Sequence, residues 1–291
     1  MGDHSEVVGV DKSIGQDNAI NQHATVALDA TLADENSLAV PKDRKFVEAL
    51  HRGLAVLRAF GQKGGVLGNQ QIAAITGLPK PTVSRMTYTL MQQGYLAYNP
   101  RLEKYELDSG VLTLGYNYVH NLRARQIAKP LMDELSKRTQ ASVGLMTSER
   151  LSMIYVENCR GDVAQSLRMD VGSRLPMATS SAGRAYLAAL GKEEREALMA
   201  AIQRKSGNDW AKIRDAIELA VTCYEKHGYC LSLGDWDRSV NAVAVPLRLQ
   251  DGKIMCLNCG GPSYLITPDK VIASFAPQLL HAARELESTG V

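Results

Sequence analysis

The sequence lacks any long hydrophobic run. Its longest stretch without Asp, Glu, Lys or Arg covers 16 residues, Gly64–Pro79, and it includes several polar side chains. A helix needs roughly 20 apolar residues to span a bilayer. The first 40 residues contain one basic residue, Lys12, with no apolar segment after it, which argues against a secretory signal or an Arg-rich transit peptide. We therefore expect no transmembrane helix, no membrane partner and a cytoplasmic location.

Cysteine is also scarce, with five among 291 residues. A small, odd number builds no disulfide framework and fits a reducing compartment. The spacings Cys223-x3-His227-x2-Cys230 and Cys256-x2-Cys259 resemble a zinc site. However, Cys256 and Cys259 fall within one predicted strand, where positions i and i+3 point to opposite faces. We interpret these cysteines as small buried apolar residues and expect neither a metal site nor a cofactor.

Motifs of catalysis are missing as well. The sequence contains no Gly-x-Ser-x-Gly elbow, no Gly-x-x-x-x-Gly-Lys-Ser/Thr loop and no Gly-x-Gly-x-x-Gly stretch. Such motifs position the nucleophiles and phosphate-binding loops of many enzymes. The sequence therefore predicts a protein that is not an enzyme.

Charge is distributed unevenly along the chain. The net charge is −6 for residues 1–40, +7 for residues 41–105 and +1 for residues 106–291, within a total of +2. A compact basic block beside a neutral remainder is typical of a phosphate-binding module attached to a separate body, although a solvated charged face has the same composition. Residues 1–42 show no helical or strand period, which predicts a disordered acidic tail.

The basic block predicts three helices. In the first helix, apolar residues recur at helical spacing and form its predicted core face. The second is short, with Asn69 as its N-cap and Gly77 as the left-handed residue that ends it. The third begins at Pro79 and Pro81 and runs to Gly94. The predicted core face of the first helix consists of Phe46, Leu50, Gly53, Leu54, Leu57 and Phe60.

A basic hairpin completes this block. The segments Tyr95–Tyr98 and Lys104–Leu107 predict two strands joined at Asn99-Pro100-Arg101. Two helices around a Gly-containing turn, the second with a polar and basic N-terminal half, allow a helix to enter the major groove of DNA. A three-helix module that does not bind DNA has similar periods. The positive charge nevertheless favours a winged helix-turn-helix, which we assign to residues 43–108. The predicted DNA-binding residues are Lys80, Thr82, Ser84, Arg85, Tyr88, Thr89, Arg101 and Lys104.

Residues 109–123 predict a linker helix with an apolar stripe. Such a stripe must be buried somewhere. Packing against a second subunit predicts a homodimer or homotetramer, whereas packing on its own domain is the alternative. The stripe consists of Val111, Leu114, Gly115, Tyr118, Val119 and Leu122.

Residues 124–291 predict an α+β effector domain with a mainly antiparallel sheet. The pair Asp251-Gly252 indicates a tight type I′ turn between two strands. The predicted helices are 125–139, 192–205, 209–227 and 268–287, and the predicted strands are 142–147, 151–157, 164–169, 229–233, 243–249 and 253–259.

The segment Pro176–Leu190 contains a candidate anion site. Thr179 or Ser180 can cap a helix whose first N–H groups are free, and the helix dipole favours a carboxylate there. Capping with nothing bound is the alternative. The free N–H groups are those of Ser181, Ala182 and Gly183.

Asn258 is a second candidate, because it lies in an otherwise apolar strand. A buried amide needs hydrogen-bond partners. A ligand or an ordered water could supply them.

Five short motifs follow one another in a specific order. They are Leu78–Arg85, Gly94-Tyr95-Leu96, Leu114-Gly115-Tyr116, Gly172–Ala185 and Gly260-Gly261-Pro262. Together they resemble the isocitrate lyase regulator (IclR) family of bacterial transcription regulators. The resemblance spans roughly residues 45 to 288. It implies a winged helix-turn-helix, a dimerising linker helix and a C-terminal domain similar to GAF and PAS folds that senses small organic acids.

The sequence departs from this family at the effector site. Ser239 replaces a glycine of the family pattern. Positions that resemble a pocket Asp, Cys and two Ser in members sensing glyoxylate or pyruvate are here Ser232, Ala242, Asn258 and Gly260, so we expect a different mode of ligand binding. The predicted effector-binding residues are Ser180, Ser181, Ala182, Gly183, Ser232, Asp235, Asn241, Ala242 and Asn258.

The combined prediction is a DNA-binding transcription regulator controlled by a small organic carboxylate, aromatic or aliphatic. Its partners are operator DNA, the carboxylate effector and further copies of the chain. The alternative is a small-molecule sensor that acts through protein contacts without binding operator DNA.

Overall fold

The computed structural model describes residues 44–61, 65–161 and 169–290. The predicted tail, 1–42, lies outside the described residues, as does nearly all of the predicted strand 164–169. Met169, the described end of that segment, is not part of a strand. Within these ranges, no helix has the length and apolarity needed to cross a bilayer.

The N-terminal module is a winged helix-turn-helix. Three helices pack against a three-stranded antiparallel sheet with the order β1-β3-β2. Strands β2 and β3 form the predicted hairpin, and β1 is a short strand that the sequence did not predict. The elements are α1 (Glu48–Ala59), β1 (Val66–Leu67), α2 (Asn69–Thr76), α3 (Lys80–Gln92), β2 (Leu96–Asn99) and β3 (Lys104–Leu107).

Helix α1 buries only part of the predicted face. Val56 and Ala59 are fully buried, whereas Leu50 and Leu54 are 61% and 41% exposed. Gly53 lies on the packed side, where an added Cβ would contact Met86 of α3 at 3.9 Å. Small residues on this side let α1 approach its neighbours closely. The predicted face is confirmed at Leu57 and Phe60, which pack in the core of this module, and wrong at Leu50 and Leu54, because the prediction followed the largest apolar residues.

The start of α2 also differs from the prediction. Gly68, not Asn69, is the N-cap, and its N–H donates to Gln71 Oε1 at 3.0 Å. The Asn69 side chain donates instead to Ser84 Oγ at 3.2 Å, which ties α2 to α3. Gly77 ends the helix in the left-handed conformation, as predicted, with φ of 69°.

Helix α4 (Ser109–His120) forms the predicted linker, but its apolar side chains are not confined to one stripe. No residue of α4 is buried. Leu112, Leu114, Tyr116 and Tyr118 are between 53% and 73% exposed, and they point to more than one side of the helix. Leu122 lies beyond the end of α4 and packs against the core of the C-terminal domain. It therefore does not belong to the linker stripe.

The C-terminal domain contains a six-stranded sheet with the order β6-β5-β4-β9-β8-β7. Every neighbouring pair of strands is antiparallel. The short strand β6 was not predicted. The elements are α5 (Arg123–Thr139), β4 (Ser142–Glu149), β5 (Ser152–Arg160), β6 (Arg174–Pro176), α6 (Ser181–Ala189), α7 (Lys192–Ser206), α8 (Trp210–His227), β7 (Cys230–Leu233), β8 (Val240–Arg248), β9 (Ile254–Pro262), α9 (Pro268–Lys270) and α10 (Ala276–Ser288).

Helices cover both faces of this sheet and create two cores. One core packs α5 and α10 against the sheet and contains Cys259. The other packs α6, α7 and α8 against the opposite face and contains Cys256. The two thiols therefore point to opposite faces, as the strand alternation predicted. Among the described residues, no group of three or more His, Cys, Asp or Glu side chains is arranged to hold a metal ion.

The turn between β8 and β9 is not the predicted type I′ turn. That turn requires a positive φ at both central residues, whereas Gly252 has φ of 83° and Asp251 does not have a positive φ. The N–H of Gly252 donates to Leu249 O, and the N–H of Leu249 donates to Lys253 O. This pattern fits a three-residue loop with glycine in the left-handed position.

Two prolines, Pro130 and Pro277, lie more than one turn after the start of their helical segments. Pro130 is within α5. Pro277 lies in the first turn of α10, directly after a π-helical turn at Val271–Phe275. Proline has no N–H to donate to the preceding turn, and a π turn accommodates such a break without ending the helix. The predicted helix 268–287 is therefore continuous but widened.

Candidate functional site

Helix α3 presents a polar face to the solvent. Val83 and Thr87 are buried on its inner side, and the Thr87 hydroxyl donates to Val83 O at 3.1 Å. Pro79 is the N-cap and Pro81 lies in the first turn, where proline is tolerated. Of the predicted DNA-binding residues of this helix, Thr82 is half-buried and the exposed ones are Lys80, Ser84, Arg85, Tyr88 and Thr89.

The cations of this face are available for a ligand. Neither Lys80 nor Arg85 forms an ion pair with any residue that the structure describes. Ser84 and Thr89 are partly engaged, because Ser84 accepts from Asn69 and the Thr89 hydroxyl donates to Arg85 O at 3.0 Å. A guanidinium with free donors can bind a phosphate or a guanine edge.

The hairpin tip is locally ordered. Asn99 Oδ1 accepts from the N–H groups of Arg101 and Leu102 at 3.1 and 3.3 Å. The Arg101 side chain is exposed and that of Lys104 is half-buried. Both predicted DNA-binding residues of the wing therefore lie on or near the surface.

A cavity lies between the N-terminus of α6 and the sheet. Its volume is about 20 Å³, which is enough for roughly one water molecule. Among the residues that the structure describes, no lysine, arginine or histidine lines it. The lining residues are Ser142, Tyr155, Leu175, Ser180, Ser181, Ser232, Trp236, Val240, Ala242, Asn258 and Gly260.

Ser180 caps α6. Its hydroxyl accepts from the N–H of Gly183 at 3.1 Å and donates to Pro176 O at 2.6 Å. The first intrahelical hydrogen bond runs from the N–H of Arg184 to Ser180 O. Within the described part of the chain, the N–H groups of Ser181 and Ala182 have no hydrogen-bond partner, as expected for the first residues of a helix.

Gly183 does not offer the free N–H that the sequence predicted. Its N–H is used by the Ser180 cap. A Cβ at this position would lie 2.1 Å from Met177 O, so the glycine packs against the preceding turn and does not face the cavity. The cap reduces the candidate anion donors to Ser181 and Ala182.

The sheet side of the cavity carries a polar pair. Asn258 Nδ2 donates to the Tyr155 hydroxyl at 3.2 Å. Burial raises the pKa of Tyr155 to about 12, so its hydroxyl stays protonated at neutral pH. Gly144 makes room for both, because a Cβ there would lie 2.3 Å from the Tyr155 ring and 2.5 Å from Asn258 Oδ1.

The structure divides the predicted effector residues into two groups. Ala182 is completely buried in the core behind the cavity. Asn241 points to the opposite face of the sheet, where Nδ2 donates to Ile266 O at 2.8 Å. Asp235 forms an ion pair with Arg184 at 2.8 Å outside the cavity. The predicted residues that line the cavity are Ser180, Ser181, Ser232, Ala242 and Asn258.

Several lining residues were absent from the predicted set. Tyr155 and Ser142 lie on β5 and β4, two strands that the sequence predicted without indicating which of their side chains reach the cavity. Trp236 lies in the loop between β7 and β8, and nothing in its local sequence indicated that it would turn inward. The other additional lining residues are Leu175, Val240 and Gly260.

An open polar cleft adjoins the cavity. Its volume is about 400 Å³, and Lys212 and Arg238 are among its lining residues. Trp236 lines both spaces. This side chain therefore separates the cavity from the cleft.

Comparison with known proteins identifies both parts of the chain. Residues 116–288 match the family described as "Bacterial transcriptional regulator IclR C-terminal". Residues 49–100 match the "IclR helix-turn-helix domain". The two matches follow the same order as the two folded parts of the structure.

Individual relatives agree with this result. The HTH-type transcriptional regulator TsaQ1/TsaQ2 of Comamonas testosteroni is 32% identical over 245 residues, which cover 83% of this chain and 88% of that protein. A solved IclR family transcriptional regulator from Brucella abortus is 42% identical, with a TM-score of 0.81 over 89% of this chain and 98% of that one.

A third relative is a solved IclR homologue from Microbacterium hydrocarbonoxydans in complex with 4-hydroxybenzoate. It is 24% identical, covers 82% of this chain and 98% of its own, and has a TM-score of 0.66. At this identity it supports the fold. Members of the matched family are transcriptional regulators, not enzymes. From its two family matches and its fold, this chain belongs to the IclR family of bacterial transcriptional regulators.

Proposed function

We propose that this regulator binds operator DNA through α3 and the hairpin, and that a small organic carboxylate bound in the cavity of the C-terminal domain controls it. We call this space the effector cavity. The observation that carries the proposal is the N–H group of Ser181 at the N-terminus of α6: Ser181 lines the cavity, and its N–H has no hydrogen-bond partner among the described residues. This donor and the helix dipole favour an anion.

The rest of the effector cavity supports an organic acid. Leu175 and Val240 provide apolar walls, and the aromatic rings of Tyr155 and Trp236 provide flat ones. Because no cationic side chain of the described ranges lines the cavity, the backbone amide of Ser181 is the positive group that these residues offer a carboxylate. The IclR homologue from Microbacterium hydrocarbonoxydans binds 4-hydroxybenzoate, which makes aromatic acids one candidate class.

Ligand entry requires a rearrangement. The cavity holds roughly one water molecule in this conformation, so an organic acid must displace a wall. Trp236 is the wall shared with the polar cleft, and its outward movement would join the two spaces. Lys212 and Arg238 in the cleft would attract an anion toward this entrance.

Acids and their neutral amides test this function. The full-length protein should be stabilised against heat by at least one organic acid, because a ligand at 100 times its dissociation constant adds about 2.7 kcal/mol to the free energy of unfolding. The matching carboxamide, for example 4-hydroxybenzamide beside 4-hydroxybenzoate, should have little effect. Equal stabilisation by acid and amide would contradict carboxylate recognition.

The domain boundaries follow from the same proposal. We assign residues 43–108 to operator binding, residues 109–123 to the linker and residues 124–291 to effector binding. Oligomerisation is assigned to the linker together with the effector domain. The exposed apolar side chains of α4 support this assignment, as does a cleft of about 770 Å³ between α4 and the sheet.

Arg85→Ala should weaken specific operator binding by about 1–3 kcal/mol if the guanidinium reads a base edge. The residue is exposed, so the fold should be unaffected. Fluorescence anisotropy with labelled operator, repeated over a range of salt concentrations, measures the loss. Lys192→Ala is the control, because Lys192 is an exposed cation of the C-terminal domain.

The salt series also separates the two function classes. Operator binding through phosphate contacts should weaken steeply as salt rises. If no DNA sequence binds with this dependence, the chain acts instead as a sensor through protein contacts. Unchanged operator affinity in Arg85→Ala would show that this residue does not contribute to operator binding.

A further inference from the structure

The exposed face of α3 and the hairpin that packs against it carry positive charge without matching negative charge. Helix α3 contains no Asp or Glu, and the positive end of its dipole adds to the charge of its cations. Four cations of this surface form no ion pair with any residue that the structure describes. We call this surface the cationic face, and its members are Lys80, Arg85, Arg101 and Lys104.

The acidic residues of the same module do not neutralise the cationic face. Glu48 forms an ion pair with Arg52 within α1, and Asp108 caps α4. Glu103 and Glu106 are exposed and pair with no cation of the described ranges. The cationic face therefore remains available to an acidic segment from another part of the chain.

The chain itself contains a segment of the opposite charge. Residues 1–40, which lie outside the described residues, carry seven acidic side chains and one basic side chain. The segment joins the module directly ahead of α1, and α1 packs against α3 in the core of the module. Its net charge of −6 nearly matches the +7 of residues 41–105.

The segment is long enough to reach the cationic face. Glu35 is the last of its acids and lies thirteen residues before Glu48, where α1 begins. Thirteen residues extend at most about 45 Å. A module of about 65 residues has a radius of gyration of only about 11 Å, so chain length allows each acid of the segment to reach α3.

We propose that residues 1–40 bind the cationic face of their own subunit and compete with DNA for it. Carboxylates pair with the same lysine and arginine groups that bind phosphates. A tethered segment acts at an effective concentration of millimolar order, so individually weak pairs suffice. The segment is then an autoinhibitory element, and its effect on affinity rests on the proposed binding of DNA by α3.

Carbodiimide cross-linking of the full-length protein without DNA tests the contact. This reagent joins a carboxylate and an amine as an amide where the two groups touch. Peptide mapping should find links from acids of residues 1–40 to Lys80 or Lys104, and added sodium chloride should suppress them, because salt screens exposed charges. Lys192 is the control, since it is 83% exposed in the C-terminal domain and should form no link to this segment.

Neutralising the segment should strengthen DNA binding. Removing four of its carboxylates should raise the affinity of the full-length protein for a short DNA duplex of random sequence roughly threefold or more, because a tethered competitor is lost. The gain should disappear at high salt. A random duplex suffices, because non-specific binding is electrostatic and does not depend on sequence. The variant carries Asp17→Asn, Asp29→Asn, Asp34→Asn and Glu35→Gln.

A second variant controls for overall charge. It removes the same number of exposed carboxylates from the C-terminal domain. At about 0.1 M salt it should bind the duplex within about twofold of wild type, because charges farther apart than about 10 Å are largely screened. Fluorescence anisotropy with the labelled duplex measures both variants. The control carries Glu134→Gln, Glu218→Gln, Glu225→Gln and Glu285→Gln.

The outcomes separate contact, competition and the proposed function. If no links to Lys80 or Lys104 form, the docking is overturned, even if neutralisation strengthens DNA binding through reduced repulsion. Links found only between two chains, seen as a band of twice the subunit mass in a denaturing gel, would overturn the assignment to the same subunit. Equal affinity of the neutralised and wild-type proteins would overturn the competition. If the links form but no variant binds DNA, the proposed DNA binding fails together with the competition, while the contact stands.

Discussion

Replacing Leu114 and Tyr118 with Asp should turn the protein into a monomer with greatly weakened operator binding. Both side chains are more than half exposed in the single chain, so two carboxylates there would be solvated and the subunit should remain folded. In an oligomer joined through α4, the same charges would be buried in an apolar seam, which is strongly unfavourable. Sedimentation velocity measures the change in mass.

The effect on DNA follows from geometry. A helix-turn-helix dimer reads two half-sites with two modules, and losing one tethered module can reduce the overall affinity by roughly 10²-fold or more. Thr113→Asp with Asn117→Asp is the matched control, because it adds the same charge at exposed polar positions of the same helix. A Leu114/Tyr118 variant that still sediments as the wild-type oligomer would show that this stripe is not the interface.

Ser181→Pro should abolish effector binding while leaving the fold nearly intact. Proline removes the N–H that we assign to the carboxylate. It is well tolerated at the first helical position, and Ser180 already has the extended conformation, φ −78° and ψ 151°, that a residue before proline prefers. A hydrogen bond to a charged group contributes about 1.5–3 kcal/mol, so the affinity should fall at least tenfold.

Ser181→Ala is the matched control for this experiment. It removes the hydroxyl and keeps the N–H, so binding of the acid should be retained within a few-fold. Calorimetric titration of both variants, with thermal unfolding on the same samples, separates lost binding from lost stability. Wild-type affinity in Ser181→Pro would mean that the helix terminus is only a cap and that the anion binds elsewhere.

Local signals explain why the DNA-binding module was predictable. The left-handed Gly77 and the two prolines after it mark the turn between α2 and α3 without any tertiary information. Alternation along β9 likewise assigned Cys256 and Cys259 to opposite faces before the helices that cover them were known. In these places the backbone conformation depends on neighbouring residues alone.

Predictions failed where a choice depended on distant partners. The face of α1 was set by the close approach of α3, so Leu50 and Leu54 remained exposed although their spacing is helical. The Asn69 side chain does not cap α2, because it donates a hydrogen bond to Ser84, fifteen residues away. The helical spacing of apolar residues indicates that a helix has an apolar face. It does not indicate which neighbouring element packs against that face.

The sequence by itself determined most of the order of helices and strands, though not the short strands β1 and β6, together with the basic charge of the first module and the polar face of α3, because these depend on local propensity and composition. Only the tertiary structure decided the effector cavity. Tyr155, Ser181, Trp236 and Asn258 come from four separate segments that meet because β4 pairs with both β5 and β9 and α6 packs over that face. Long-range strand pairing sets these distances, so only the tertiary structure brings the start of α6, which the sequence already offered as an anion site, into the same cavity as Asn258.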